Sequence, residues 1–481
     1  MNIEQFIKND FSGCIFIKKG DDVIFEKTYG YADLSNKISN KIDTKFATAS
    51  AGKVFVAVGI LQLIENGQLK LSDTIGDLLK FDLHDIDNEI TIEQLLTHKS
   101  GIPDYFDETI MDEYEELWRD YPNYKIRKSS DLLPLFITKP MMYPKGERFQ
   151  YNNTGFVVLG LIIEAITKMP FDEYLKKNIF DPIGMHSTGY YELDRLPAKC
   201  ANNYIFDEER KEYYTNIYSV DVKGTGAGGA FTTVGDIECF WIALLSNKLL
   251  SDEMTKKMLS VQSTCEDDDN YGYGIWLNKN SKNNSLPYFT GSDPGVSFIS
   301  SYDLEENLLI TIVSNFGDNV WKMMREIRKN MSDVKSYKFK IITNKEELWN
   351  KVIDFAKNCS WRAGKSLAQK MIEDKFKEWE RVIVAIDNKN IAGFCTFAKK
   401  DSIQDIEYTP YIGYMFVSES YRGKRLSEGL IRAAINYAKK LGFNEVYIVS
   451  GEVGLYEKYG FVKIDEKYHN GSTEQIFIKK F

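Results

Sequence analysis

Ser50 and Lys53 stand three residues apart in "FATASAGKVF" (residues 46–55). They open a segment whose apolar positions Val54, Val58, Leu61 and Ile64 recur with helical spacing. Residues at i and i+3 are neighbours on a helix. A hydroxyl beside an amine that can lose its proton is a nucleophile beside a base, the pairing that acyl transfer needs. The same two residues also read as a serine near a helix N-terminus and a solvated lysine, so a site requires further groups around them. Three stretches bear on this. "GERFQYNNTGF" puts Tyr151, Asn152 and Asn153 just ahead of an apolar helix, "AGGAFTT" (227–233) is a glycine-rich turn before a helix, and "YFTGSDPGVSFISS" (288–301) is a small-residue turn on a strand edge.

A second group of residues lies in "YIGYMFVSESYRGKRLSEGLIRAAINYAKKLGF" (411–443). The pattern predicts a strand over 411–417, a turn, and a helix from about Leu426. The N–H groups of such a turn and of the helix N-terminus converge on one point, a ready anion site. Arg422, Lys424 and Arg425 add positive charge to it.

Regular elements must hold both groups in place. "CIFIKK" and "VIFEKTYG" read as a hairpin turning at Gly20-Asp21-Asp22. The Ser50 helix follows and stops at Gly67. Helices are expected at the start of 91–105, over 154–169, over 232–250 with Thr232 or Thr233 as cap, and over about 318–330. Strands are expected in "YGYGIWLN", "GVSFISSYD" and "NLLITIVSNF". Residues 331–338 are polar and aperiodic, which sets a domain boundary, with domains at 1–333 and 337–481. After it the pattern restarts as strand, helix, helix, hairpin, strand, helix, strand, short helix, strand, strand; the hairpin turns at Asp387-Asn388-Lys389-Asn390.

With 481 residues the chain has room for two to four domains. A net charge of -9 argues against non-specific nucleic-acid or anionic-membrane binding. The first residues lack a basic region followed by an apolar one, so no export signal is read, and a cytoplasmic location with six free thiols is expected. The longest apolar run, 156–166, is too short to span a bilayer. The four histidines and six cysteines have no ligand spacing, so no metal site is expected.

Ser50 to Lys53 and Tyr151 to Asn153, with "LLTHKSGIPDY", "DPIGMHSTGY" and "GGAFTTVGDI" in that order, resemble the serine β-lactamase superfamily. The likeness is to its class C-like branch with D,D-peptidases and esterases, over residues 8 to 330. It implies that Ser50 is acylated and that Lys53, partly desolvated, accepts its proton. Tyr151 would shuttle a proton to the leaving group, and Asn153 would bond Lys53 and a substrate amide. The backbone N–H groups of Ser50 and Ser292 would hold the oxyanion. In "Phe289-Thr290-Gly291" phenylalanine stands where the family has Lys or His. A cation there would hold a substrate carboxylate, so an uncharged ester or amide is expected instead, in a subsite of Phe289, Thr290, Gly291, Ser292 and Asn153.

The second group, with "LYEKYGF" downstream, resembles the GNAT superfamily of acetyl-CoA-dependent N-acetyltransferases over residues 337 to 481. The turn matches its pyrophosphate loop. Arg422 opens the loop, Arg425 and Ser427 stand at its two glycine positions, and Gly423, Lys424 and Leu426 lie between. With Phe416 and Val417 at the strand end, these residues are the implied coenzyme A site. Ser427 is small enough for the backbone to approach phosphate. Tyr456 matches the tyrosine that protonates the departing thiolate, or is a packed aromatic beside Tyr459. The general base for the amine stays open among Glu407, Glu419 and a water chain.

The expected fold class is therefore α/β (α+β). A β-lactamase-like antiparallel sheet flanked by helices, with a helical subdomain, precedes a GNAT-like mixed α/β domain. Three functions compete: a bifunctional serine hydrolase and acetyltransferase; an acetyltransferase with a degenerate, substrate-binding hydrolase fold; or a β-lactamase or D,D-peptidase-type enzyme with an accessory domain. The implied partners are a small ester or amide and a small-molecule or peptide amine.

Overall fold

The computed structural model describes residues 3–111, 113–265, 269–279, 285–331, 337–387, 390–400, 408–424, 426–469 and 472–481. The chain divides into two compact units, Met1–Asp333 and Val334–Phe481.

In the first unit the predicted hairpin forms as β1 (Gly13–Lys19) and β2 (Asp22–Tyr29). The expected "YGYGIWLN" strand is broken. Gly272–Ile275 separate β4 (Asn270–Tyr271) from β5 (Trp276–Lys279), and β3 (Ser263–Thr264) pairs ahead of them. β6 (Ser285–Asp293), β7 (Val296–Asp303) and β8 (Leu308–Ser314) complete a sheet of order β2-β1-β8-β7-β6-β5-β4-β3. It is antiparallel throughout.

α1 (Lys53–Glu65) continues a 3₁₀ turn over Ala49–Gly52. It is buried on nearly every side from Lys53 to Leu61, as suits a helix with almost no polar residue in that stretch. A short α2 (Ile92–Leu96) follows, capped by Thr91. α3 (Asn153–Thr167) is also buried along most of its length. α4 (Val234–Leu245) is capped by Thr233, whose side chain accepts the Asp236 N–H. α5 (Val320–Met331) ends the unit.

Consecutive strand residues point to opposite faces. Ser300 accepts the Trp241 indole N–H of α4 at 2.9 Å, while its neighbour Ser301 meets Met324 and Arg328 of α5. The two helices therefore cover opposite faces of the sheet, and both faces are buried.

The second unit has the expected order of elements. Its strands are β9 (Lys338–Ile342), β10 (Arg381–Asp387), β11 (Asn390–Ala398), β12 (Tyr411–Val417), β13 (Glu445–Ser450), β14 (Val462–His469) and β15 (Ser472–Lys480). They form one sheet in the order β9-β10-β11-β12-β13-β15-β14. Two positions of the expected hairpin turn, Asn388 and Lys389, lie outside the described residues. α6 (Leu348–Asn358) and α7 (Arg362–Ile372) pack with Val382, Val384 and Phe416. α8 (Leu426–Lys440) packs with Ile383, Ala385 and Ile412. The alternation of β10 between these two cores shows helices on both faces.

β12 and β13 run parallel and pair in register only at Tyr411 and Tyr447. β13 stays paired with β15 along its length, so β12 and β13 splay apart beyond that point. β12 also carries a bulge. Phe394 faces Phe416 and Thr396 faces Gly413, which leaves one extra residue on β12, and Tyr414 there has φ +46°.

Candidate functional site

The turn Ala49–Gly52 is held from two sides. Ala49 has φ +46°, a costly conformation for a residue with a Cβ, placed directly before Ser50. Gly229 donates its N–H to the Ala49 carbonyl at 3.0 Å. A Cβ on Gly228 would lie 2.2 Å from that same carbonyl. On the other side, a Cβ on Gly291 of β6 would sit 2.3 Å from the Thr48 carbonyl and 2.6 Å from the Ser50 nitrogen. Only glycine lets the strand come so near the turn.

Lys53 is 2% exposed, and its Nζ donates to Ser50 Oγ (2.9 Å), Asn153 Oδ1 (2.8 Å) and the Ala227 carbonyl (2.7 Å). It also lies 4.9 Å from the Tyr151 ring centre. Burial lowers its pKa from 10.5 to about 8; the carboxylates of Glu108, Asp104, Asp293 and Asp221 oppose that fall. The Tyr151 phenol lies beside Ser50, and burial raises its pKa above the usual range, so it stays protonated. Ser50 Oγ is thus flanked by an amine that titrates near neutrality and a phenol that keeps its proton.

The start of α3 fixes Tyr151 and Asn153. Asn152 Oδ1 accepts the Gly155 N–H at 2.7 Å. Asp104 accepts the N–H groups of Asn153 (2.8 Å) and Thr154 (3.0 Å). His98 Nδ1 accepts the Asn152 N–H at 3.1 Å, and its ring lies 4.6 Å from that of Tyr151. Burial depresses the His98 pKa well below 6.5, so the ring is neutral. His98 and Asp104 both stand inside "LLTHKSGIPDY", a stretch whose residue types alone assign neither of them a task. Asp104 caps a helix 49 residues further on, which no local pattern reveals.

Ser50, Tyr151, Asn153, Thr290, Gly291 and Ser292 all line one cavity of about 850 Å³. Phe289 does not. It is 3% exposed and lies in the core, its ring stacked on Trp241 at 5.2 Å and near Phe240 and Phe298. Its assignment to the substrate subsite is corrected: Phe289 shares the face of β6 that Gly291 turns toward the Ser50 turn, but two residues back along the strand Trp241 and Phe240 of α4 cover that face.

In the second unit the turn before α8 has Gly423 at φ +76° with open space around it. Arg422 and Lys424 are exposed. Arg422 donates to Glu419 (3.0 Å) and the Val417 carbonyl (3.3 Å), and Lys424 to the Ser420 carbonyl (2.8 Å). Ser427 Oγ lies 2.9 Å from the Tyr459 hydroxyl. Arg425 lies outside the described residues, as does Glu407. The side chains of Phe416 and Leu426 are buried in the two cores, so these positions present backbone only. Tyr456 is 5% exposed, and burial raises its pKa to about 12.

Residues 10–329 match the Beta-lactamase family model, about two thirds of the chain. The chain belongs to the beta-lactamase family. Residues 349–461 match the Acetyltransferase (GNAT) family model, so a GNAT acetyltransferase domain follows the beta-lactamase domain. The solved structure of a penicillin binding protein from Bacillus halodurans is 39% identical, with a TM-score of 0.66, over 68% of this chain and 100% of that one. The putative penicillin-binding protein PbpX of Bacillus subtilis (strain 168) is 27% identical over 66% of this chain and 74% of its own length. A D-amino acid amidase from Ochrobactrum anthropi SV3 shares the fold, at 21% identity and a TM-score of 0.55 over 68% of this chain and 98% of that one. In this member of the beta-lactamase family Lys53 thus lies against Ser50 and Tyr151, while Phe289 lies in the core.

Proposed function

We propose that the N-terminal unit is a serine acyl hydrolase working through an acyl-enzyme on Ser50, and that the C-terminal unit is an acetyl-CoA-dependent N-acetyltransferase. The observation that carries the first half is Lys53 Nζ at 2.9 Å from Ser50 Oγ, with the Tyr151 phenol beside them in the same cavity. In its neutral form Lys53 takes the Ser50 proton as Oγ bonds to the carbonyl carbon of an ester or amide. The carbonyl electrons move onto its oxygen, held by the N–H groups of Ser50 and Ser292, which Gly291 allows to approach each other. The carbon–leaving-group bond then breaks, and Tyr151 or protonated Lys53 supplies the proton to the departing alcohol or amine. Water attacks the acyl-enzyme, its proton returns through the same groups, and the acid leaves with Ser50 regenerated.

For the second half, the residues fit a coenzyme A. The splayed edges of β12 and β13, the open turn at Gly423 and the N-terminus of α8 lie in sequence along one strand and helix. Backbone N–H groups of Gly423, Lys424, Leu426 and Ser427 would hold the phosphates, with Arg422 and Lys424 adding charge. The group would supply an acetyl thioester to an amine. Tyr456 is a phenol rather than a phenolate at neutral pH, so it can donate a proton.

A second reading, acylation by a penicillin, is favoured by the penicillin-binding names of the relatives. Mass spectrometry after a fluorophosphonate and, separately, a penicillin decides between them. A Ser50 adduct with the first alone supports the esterase or amidase, and an adduct with both supports the penicillin-binding reading. No adduct with either removes Ser50 as nucleophile.

A further inference from the structure

The wall of the Ser50 cavity is charged with one sign. It carries Glu108, Glu113, Glu115, Asp221 and Asp293, and among the described residues no lysine, arginine or histidine lines it. Lys53 lies behind Ser50 with its Nζ bonded three times inside the protein. Asp293 directly follows Ser292 at the end of β6, and Asp221 accepts the Tyr114 hydroxyl proton at 2.8 Å. Asn203, another wall residue, is 3% exposed, and its Oδ1 has no hydrogen-bond partner. A buried acceptor without a donor is costly and calls for one. Two carboxylates and an unpaired amide oxygen are all acceptors, and an ammonium offers three donors and a positive charge.

We propose that the cavity selects acyl substrates carrying a positively charged amino group, held by Asp221 and Asp293 with Asn203 Oδ1. This is the reverse of a site built for a substrate carboxylate, and it rests on the acyl-hydrolase reading above. Electrostatics agree with it. Burial holds both carboxyls above their ordinary range, Asp221 at about 6 and Asp293 at about 8, with Asp221 pushing Asp293 further, so near neutral pH Asp293 is largely protonated in the empty cavity and a bound ammonium draws it into the carboxylate form. A bound cation relieves that repulsion, and an anion adds to it.

The test separates binding from turnover. Calorimetry on the Ser50→Ala protein at pH 7.5 and low salt compares cationic 3-aminopropanamide and 5-aminopentanamide with neutral butanamide and hexanamide and anionic succinamate and glutaramate. The cations should bind about ten- to a hundred-fold tighter than neutral amides of the same length. The anions should bind more weakly than the neutral amides. Asp221→Asn and Asp293→Asn should each cut the cation-to-neutral ratio several-fold. Glu108→Gln, on an exposed position, gives the same direction if either aspartate variant fails to fold. Equal binding of cation and neutral amide, preference for the anion, no binding of the cations, or a ratio unmoved by the variants overturns the proposal. Hydrolysis of p-nitrophenyl acetate by the wild type and its loss in Ser50→Ala test the acyl-enzyme separately, so either idea can fail alone.

Discussion

The burial of Lys53 fixes how the esterase rate should depend on pH. Only the neutral amine can accept the Ser50 proton, and its pKa is lowered to about 8. The neutral fraction is then about 1% at pH 6, about half at pH 8 and about 90% at pH 9. The kcat/KM for a neutral ester such as p-nitrophenyl acetate, corrected for spontaneous hydrolysis, should rise roughly ninety-fold between pH 6 and pH 9. Other groups facing Lys53 bear on the profile. His98 is neutral and Tyr151 protonated across this range, and Asp104 and Asp221, with pKa values of about 6, are ionised above it. Asp293, at about 8, titrates in the same window as Lys53 and raises its pKa once ionised, so the observed midpoint belongs to the pair. Asp293→Asn removes that coupling and should move the midpoint down. Lys53→Arg places a guanidinium that keeps its proton, and should lose at least a hundred-fold in rate, roughly, at every pH. A flat profile from pH 6 to 9, or a Lys53→Arg enzyme within a few-fold of wild type, would refute the general-base reasoning.

Four further outcomes follow from particular contacts. Gly291→Ala puts a Cβ 2.6 Å from the Ser50 nitrogen and must push strand and turn apart by the better part of an ångström; kcat for p-nitrophenyl acetate should fall about a hundred-fold, and the assay is refuting if the loss is under two-fold in a folded protein. Phe289→Lys places an ammonium in the core against Trp241 rather than in the cavity. It should destabilise the protein by several kcal/mol, seen as a lower Tm, without increasing penicillin acylation of Ser50. Ser427→Ile fills the close-approach position and breaks the contact with Tyr459, so calorimetry should show coenzyme A binding weakened well beyond the moderate loss in Arg422→Ala. Tyr456→Phe should bind coenzyme A normally and acetylate slowly, and normal acetylation would leave Tyr456 a packing residue.

Local order was legible from the chain alone. Helical spacing after Ser50 put a hydroxyl and an amine on adjacent positions, and the 3₁₀ turn leading into α1 keeps them 2.9 Å apart. The restart of strand and helix signals after residue 338 described the second unit element by element, because each signal is set by neighbours a few residues away. The break in "YGYGIWLN" was missed because a continuous β-rich run hides a turn that tertiary contacts impose, here the packing of Gly272 against the Met258 carbonyl. Phe289 was misplaced for a related reason. One face of β6 carries Gly291 against the Ser50 turn and Phe289 against Trp241, and only the tertiary placement of α4 decides which stretch of that face stays open to the cavity. The acidic wall could be seen only in three dimensions. Glu108, Asn203, Asp221 and Asp293 come from four separate segments, and only the closing of the sheet against the loops makes their side chains share one cavity with Ser50. Spacing along a chain encodes what a helix or strand brings together; the sign of a pocket depends on long-range packing, which brings distant segments within reach of one another's fields.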